Sequence, residues 1–303
     1  MVETYKKGLG YLKSLNSHRD YSPQHKEVAK LYSKMPRLET SLSKVKGTKT
    51  NSVDLRSKFS PIRDQGAIGS CTAFAASGLV EYFEIQTNNA YTPISTRFTY
   101  KTTRNLLKFT GDTGAYLRTV MGSIALFGSP PEEYWEYNGA PAEQNPDFDI
   151  EPTAFCYAFA QNYQSIKYVR LDQPNVTPTQ LVNVLKEYVT NGLPSMFGFT
   201  CYSSLWQSNN NGGLIPYPTS TENIVGGHAI LIAGYDNDKK IVNTLDNSET
   251  VGAFLIRNSW GTSWGESGYG WIPYAYFTDR LADDCWTIIS QEWIDHFPFK
   301  EFA

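Results

Sequence analysis

Residues 65–71, Gln65-Gly-Ala-Ile-Gly-Ser-Cys71, run directly into an apolar stretch of helical periodicity, residues 71–87. A glycine-containing loop that turns into a helix leaves free N–H groups and the positive end of the helix dipole at the turn. These groups stabilise a thiolate, which is the nucleophilic form of cysteine. The pattern therefore predicts a helix that begins at Cys71 and a reactive thiol on its first residue.

Two further segments supply the residue types that complete such a site. Gly226-Gly-His228-Ala-Ile230 puts one of four histidines at the start of an apolar strand, and residues 258–270 read NSWGTSWGESGYG. A histidine can take the proton of the thiol, and Asn258 can accept a hydrogen bond from the imidazole. Trp260 can shield that bond from water. Each residue taken alone is more simply interpreted as core packing, and it is their joint occurrence that favours catalysis.

These segments, in the order Gln, Cys, His, Asn, resemble the papain family of cysteine peptidases, from about Val53 to about Ile289. The resemblance implies an α+β, papain-like fold of two lobes. One lobe would be helical and the other β-barrel-like, with the active site in the cleft between them. The pattern of apolar residues agrees with two such lobes, because residues 51–164 are rich in helical patterns and residues 165–303 in strand patterns.

The resemblance also implies a role for each matching residue. Cys71 would be the nucleophile, His228 the base that later protonates the leaving amine, and Asn258 the group that orients the imidazole. Trp260 would cover the contact between His228 and Asn258. The side-chain amide of Gln65, with the backbone N–H of Cys71, would form the oxyanion hole, where losing one donor typically costs about 10²–10³-fold in rate.

Weaker correspondences place substrate-binding residues around the catalytic group. Besides Trp260, the resemblance points to Gly114, Ala115, Tyr116, Leu117, Gly227 and Ala229. Among them, Gly114 would lie on an edge that hydrogen-bonds the substrate backbone. Leu117 and Ala229 imply an apolar pocket for the side chain of the second residue before the cut.

Some positions depart from the family pattern. The family's disulfide partners fall on Ile68 and Asp112, so that bridge is absent, and Thr72 replaces the usual tryptophan. Four cysteines in 303 residues are too few for a disulfide scaffold, and the start of the chain has no apolar signal region. We therefore expect reduced thiols and a cytoplasmic location. Thr72 resembles bacterial, archaeal and viral members of the family.

Residues 1–50 form a basic leader. They carry 11 Lys and Arg against 4 Asp and Glu, a net charge of +7, whereas the remaining residues carry −10. Such a segment can dock on the acidic body, remain solvated, or bind an acidic partner, and composition alone favours the solvated arm. Residues 8–23, however, resemble the short leader of prokaryotic and viral relatives. Our hypothesis is that the leader lies over or near the cleft and restrains activity, as in a zymogen.

The function predicted is hydrolysis of peptide bonds in a peptide or protein substrate, by an endopeptidase or an aminopeptidase. A catalytically silent papain-fold protein that binds a peptide or a partner is the alternative, and acyl transfer to an amine is a third class. The formal net charge of −3 offers no general case for nucleic-acid binding, and no apolar stretch is long enough to span a membrane. We expect neither a metal nor an organic cofactor.

Overall fold

The computed structural model describes residues 7–18, 20–32, 50–89, 91–163 and 165–291. The helices are α1 Lys26–Tyr32, α2 Cys71–Asn88, α3 Thr96–Leu107, α4 Leu117–Phe127, α5 Ala154–Ala160, α6 Pro178–Thr190 and α7 Ala275–Thr278. The strands are β1 Tyr11–Leu12, β2 Ser52–Asp54, β3 Ala115–Tyr116, β4 Ser165–Arg170, β5 Ser195–Tyr202, β6 Ile224–Val242, β7 Glu249–Arg257, β8 Tyr269–Pro273 and β9 Ala282–Gln291. The rest of the leader, residues 1–6, 19 and 33–49, and the tail 292–303 lie outside the described residues.

Helix α2 is the central element of the helical half. It begins at Cys71, as the sequence predicts, and residues 71–84 are all buried because α3, α4 and the sheet pack around it. A helix buried on every side needs no polar face, which explains its nearly continuous apolar sequence. Asn89 ends it in the left-handed conformation, with φ 53°.

The β-rich half is one antiparallel sheet in the order β4-β9-β5-β6-β7-β8, to which β2 adds by pairing with β6. Strand β6 is the spine of the sheet, and its register places His228 opposite Phe199 and Ala229 opposite Gly198 of β5. Beyond the core, β6 and β7 continue as a long hairpin through residues 236–252. The sheet therefore holds His228 on a rigid strand facing α2.

Three local predictions differ from the structure. Residues 269–277 read as one strand, but β8 stops at Pro273 and α7 follows. Helix α3 has no counterpart among the predicted elements, because its sequence is rich in threonine. The hydroxyls of Thr99, Thr102 and Thr103 donate to carbonyls one turn back, so these polar residues are satisfied inside a buried helix. Finally, β2 lies in the predicted helical half yet pairs with the sheet.

No helix in the described part of the chain is long and apolar enough to cross a membrane.

Candidate active site

The thiol of Cys71 lies at the first residue of α2 and is completely buried. Burial raises the pKa of this thiol to about 11, although backbone hydrogen bonds from Gly10, Ala229 and Thr72 act in the opposite direction. The helix terminus was expected to lower this pKa. The difference has a physical cause, because the leader residue Gly10 covers the sulfur and removes the water that would solvate a thiolate.

His228 and Asn258 are joined by a short hydrogen bond between Nε2 and Oδ1, 2.8 Å long. The same Oδ1 accepts the backbone N–H of Ser259 at 2.8 Å, so it acts as an acceptor and His228 Nε2 carries the proton. The other ring nitrogen, Nδ1, is buried with no hydrogen-bond partner among the described residues. Burial lowers the pKa of His228 to about 4, against the upward effect of the Asn258 bond. His228 is therefore a neutral imidazole whose unprotonated nitrogen is free to accept.

Trp260 covers the imidazole. Its ring stacks on that of His228 with centroids 4.8 Å apart and planes inclined by 27°. Trp206 stacks on Trp260 with ring centroids 5.9 Å apart, and Trp264 meets Trp260 edge-on with centroids 5.7 Å apart. This aromatic group keeps water from the bond between His228 and Asn258 and restricts rotation of the ring.

The side-chain amide of Gln65 points at the backbone of the leader. Its Nε2 donates to the carbonyl of Gly8 at 3.0 Å and to that of Ile68 at 2.8 Å. Its Oε1 accepts the hydroxyl of Ser259 at 2.6 Å, which fixes the amide orientation. Sequence reasoning missed Ser259, although it stands inside the Asn258-Ser-Trp260 motif, because only the fold brings it to Gln65. The amide is thus already holding a peptide carbonyl.

The leader runs through the cleft as strand β1, parallel to β3. Ala115 donates its N–H to the carbonyl of Gly10 at 2.8 Å, and Gly8 donates its own to Gly66 at 3.1 Å. The passage is narrow, since a Cβ on Gly10 would lie 1.8 Å from the carbonyl oxygen of Gly69. Glycine is therefore required at positions 8 and 10 for the leader to pass through the cleft.

Four of the predicted substrate-binding residues lie along this passage, namely Gly114, Ala115, Tyr116 and Gly227. Tyr116 pairs with Leu12 of the leader, and the α-carbon of Gly227 faces the carbonyl of Tyr11. Ala229 and Leu117 are fully buried in the main core. On this edge, the N–H of Gly114 goes to the hydroxyl of Tyr100 at 2.9 Å, and the adjacent Ala115 makes the bond to the leader.

Asp112 is a second residue that sequence reasoning did not assign. Its carboxylate accepts the N–H of Gly69 at 3.0 Å on both oxygens and the hydroxyl of Tyr100 at 2.7 Å. Tyr100 in turn accepts the N–H of Gly114. The carboxylate thus ties the loop before Cys71 to the edge that binds the leader, at the position where the family pattern has a disulfide.

All four cysteines, Cys71, Cys156, Cys201 and Cys285, are buried and unpaired. No group of three or more His, Cys, Asp or Glu side chains that could hold a metal occurs within the described residues.

Comparison with known proteins agrees with the sequence and the fold. The model of the papain family cysteine protease matches residues 49–277. An uncharacterized peptidase C1-like protein of Acanthamoeba polyphaga mimivirus is 32% identical over 230 residues, covering 74% of this chain and 68% of the viral protein. A cysteine protease of Blomia tropicalis is 26% identical over 247 residues, covering 80% of this chain and 66% of that one. About a third of each relative lies outside the match.

Solved structures show the same similarity. Xylellain, a cysteine protease from Xylella fastidiosa, superposes with a TM-score of 0.73 at 30% identity, covering 95% of this chain and 98% of that one. A digestive procathepsin L 3 of Tenebrio molitor shares the fold with a TM-score of 0.56 at 23% identity, covering 83% of this chain and 72% of that one. The resemblance stated from the sequence and its α+β fold class are thereby confirmed. The chain belongs to the papain family of cysteine proteases.

Proposed function

We propose that this thiol protease cuts peptide bonds with Cys71 as nucleophile and that its own leader holds it latent. The observation that carries the proposal is the set of contacts at the cleft. Gln65 Nε2 holds a peptide carbonyl, and the Cys71 sulfur lies beside that peptide. His228 Nε2 is bound by Asn258, which leaves Nδ1 free.

These positions support the following sequence of catalytic steps. His228 Nδ1 takes the proton of Cys71, and the thiolate adds to the carbonyl carbon of the substrate. Gln65 Nε2 and the backbone N–H of Cys71 stabilise the oxygen that becomes negative. When the C–N bond breaks, the proton on His228 passes to the leaving amine, and a thioester remains on Cys71. A water molecule deprotonated by His228 then hydrolyses the thioester and restores the thiol.

The position of the leader supports the proposed latency. Its Gly8 carbonyl occupies the Gln65 amide, and the sulfur meets the backbone N–H of Gly10, not a carbonyl carbon. The burial that it imposes also favours a protonated thiol and a neutral imidazole. The leader therefore blocks the substrate and disfavours the charged pair of thiolate and imidazolium at the same time.

Contacts outside the cleft hold the leader in place. Lys7 pairs with Asp64 at 2.6 Å, and Asp20 pairs with Arg118 at 2.6 Å. The basic leader thus docks on the acidic body partly through its own acidic residue. This supports docking over the solvated arm that composition favoured.

The experiment is hydrolysis of a fluorogenic peptide by the full chain carrying a site-specific protease sequence inserted between Thr40 and Ser41. Cutting there after folding frees the leader from its tether. We expect the cut chain to hydrolyse the peptide and the Cys71→Ala and His228→Ala variants to lose more than 10³-fold in kcat. Cleavage that survives Cys71→Ala would overturn the assignment, and cut protein with an intact Cys71 but no hydrolysis would favour the silent binding protein.

A further inference from the structure

The side chain of Tyr11 fills a slot in the β-rich half beside the catalytic histidine. A Cβ on Gly198 of β5 would lie 2.0 Å from its ring, and a Cβ on Gly227 of β6 would lie 3.1 Å from it. Tyr11 is 8% exposed and belongs to the main hydrophobic core. Because Gly227 directly precedes His228, and Gly10 beside Tyr11 hydrogen-bonds the Cys71 sulfur, the slot lies beside both catalytic residues.

A carboxylate closes the far end of the slot. Tyr11 donates its hydroxyl to Asp283 Oδ1 at 3.1 Å, and the register of the sheet places Asp283 opposite Gly198. The Asp283 side chain is 17% exposed, and Lys13 of the leader forms an ion pair with its other oxygen. A slot with apolar walls therefore ends in an acceptor that is largely withdrawn from water.

Asp283 depends on the leader for its partners. Within the described residues, its side-chain hydrogen bond and ion pair are with Tyr11 and Lys13. The adjacent Asp284, by contrast, is held by the body of the protein, through Trp286 Nε1 at 2.8 Å and Arg170 at 3.4 Å. When the leader leaves, Asp283 loses both of these donors, whereas Asp284 loses only the long bond from the Ser14 N–H and keeps Trp286 and Arg170.

We infer that Asp283 sets the substrate preference of this protease, favouring at that slot a side chain with a donor at its end, tyrosine or a long cationic residue. The inference rests on the proposed function, in which the leader occupies the substrate cleft. An aliphatic or phenylalanine side chain packs against the apolar walls, but it leaves the Asp283 carboxylate, which is largely withdrawn from water, without a hydrogen-bond donor. A site built to bind a donor discriminates strongly against the analogue that lacks it. This adds a polar end to the apolar pocket predicted from Leu117 and Ala229.

The test uses two pairs of peptides that differ only at the second residue before the scissile bond, Tyr against Phe and Lys against Met. With the full chain cut between Thr40 and Ser41, we expect kcat/KM to favour Tyr and Lys by about tenfold each. Asp283→Ala should bring both ratios to about one, because the acceptor is removed. Asp246→Ala, an equal change on the exposed hairpin, should leave both ratios as in the wild type.

Two outcomes separate this inference from the function on which it rests. Equal rates for Tyr and Phe in the wild type, with hydrolysis dependent on Cys71, would overturn the role of Asp283 and leave the catalytic assignment standing. Failure to cleave any of the four peptides would overturn both.

A second measurement needs no cutting. In the full chain, Tyr11→Phe should raise the rate at which an epoxide thiol inhibitor labels Cys71 by about tenfold, because the leader loses the Asp283 bond. The same substitution made in Asp283→Ala should change that rate little. An equal effect in both backgrounds would contradict the contact on which the inference depends.

Discussion

At the scale of single residues, the chemistry depends on side chains that hold the reacting groups as much as on those groups themselves. Gln65 is oriented by Ser259, whose hydroxyl donates to Oε1 at 2.6 Å. We expect Gln65→Ala to lower kcat of the cut chain about 10²–10³-fold. Ser259→Ala should lower it about tenfold with little change in KM.

Alkylation of Cys71 by iodoacetamide serves as the control for both variants, since it forms no oxyanion and should keep its rate. If alkylation slows as much as hydrolysis, the two residues act on the thiol or on folding, and the oxyanion role is wrong.

Asp112 is the other positioning residue. Its carboxylate accepts two donors, the N–H of Gly69 shared between both oxygens and the hydroxyl of Tyr100, and so joins the loop before Cys71 to Tyr100. We expect Asp112→Ala to lower Tm and to reduce kcat/KM of the cut chain at least tenfold, since charge-assisted bonds contribute about 1.5–3 kcal/mol each. Asp112→Asn should recover part of the loss. Thermal unfolding and peptide hydrolysis measure both effects, and Asp246→Ala controls for loss of a carboxylate. Unchanged activity in Asp112→Ala would show that the Asp112 carboxylate does not position the loop before Cys71.

The motif residues Cys71, His228, Asn258 and Gln65 could be assigned from sequence because their types and order carry the chemistry. Asp112, Ser259 and Asp283 could not, since their partners are 43, 194 and 272 residues away along the chain. Such partners become neighbours only through the fold.

At the scale of elements, strand β1 is the part of the leader that, in the proposed function, covers the catalytic site and must leave it before substrate can bind. Its fit depends on Gly10, where a Cβ would meet the Gly69 carbonyl. We expect Gly10→Ala to loosen the leader and to raise inhibitor labelling of Cys71 in the full chain at least tenfold. Leu15→Ala is the matched control in the same segment, because that side chain is 82% exposed. Equal labelling of Gly10→Ala and the wild type would contradict the tight passage.

Sequence periodicity predicts helices over residues 71–87, 116–128 and 177–192, which are α2, α4 and α6 in the structure, and most strands of the sheet, because apolar spacing and caps determine such elements locally. The capping box of Thr177 and Gln180, for example, is present at the start of α6. It missed α3, whose threonines are satisfied by the helix itself, and the turn at Pro273, where tertiary packing overrides an apolar run. The two-residue strand β1 is too short for any periodicity to show.

At the scale of the whole molecule, burial of the catalytic pair would make the proposed latency depend on pH. The pKa of His228 is about 4 in the covered form, below the usual 6.5, so between these values the covered form binds fewer protons than a form with a hydrated imidazole. Acidification from pH 7 to pH 5 therefore shifts the equilibrium toward the open form. We expect the labelling rate of the full chain, divided by that of the cut chain at the same pH, to rise about tenfold or more.

Asp284 titrates in the same range, since burial raises its pKa to about 6, and the leader touches it only weakly, through the N–H of Ser14 at 3.4 Å. Asp284→Asn should therefore leave the rise in the labelling ratio between pH 7 and pH 5 unchanged. A ratio that stays constant or falls on acidification would contradict a covered, neutral His228.

The most direct test of the central claim, a built protease site closed by its own leader, is labelling of Cys71 by an epoxide thiol inhibitor under reducing conditions. It compares the full chain, the chain cut between Thr40 and Ser41, and Cys71→Ala, with mass spectrometry locating the label. We predict that the cut chain labels on Cys71 at least 100-fold faster than the full chain and that Cys71→Ala does not label. Equal labelling of the full and cut chains would show that the leader does not restrain the site and would contradict the account.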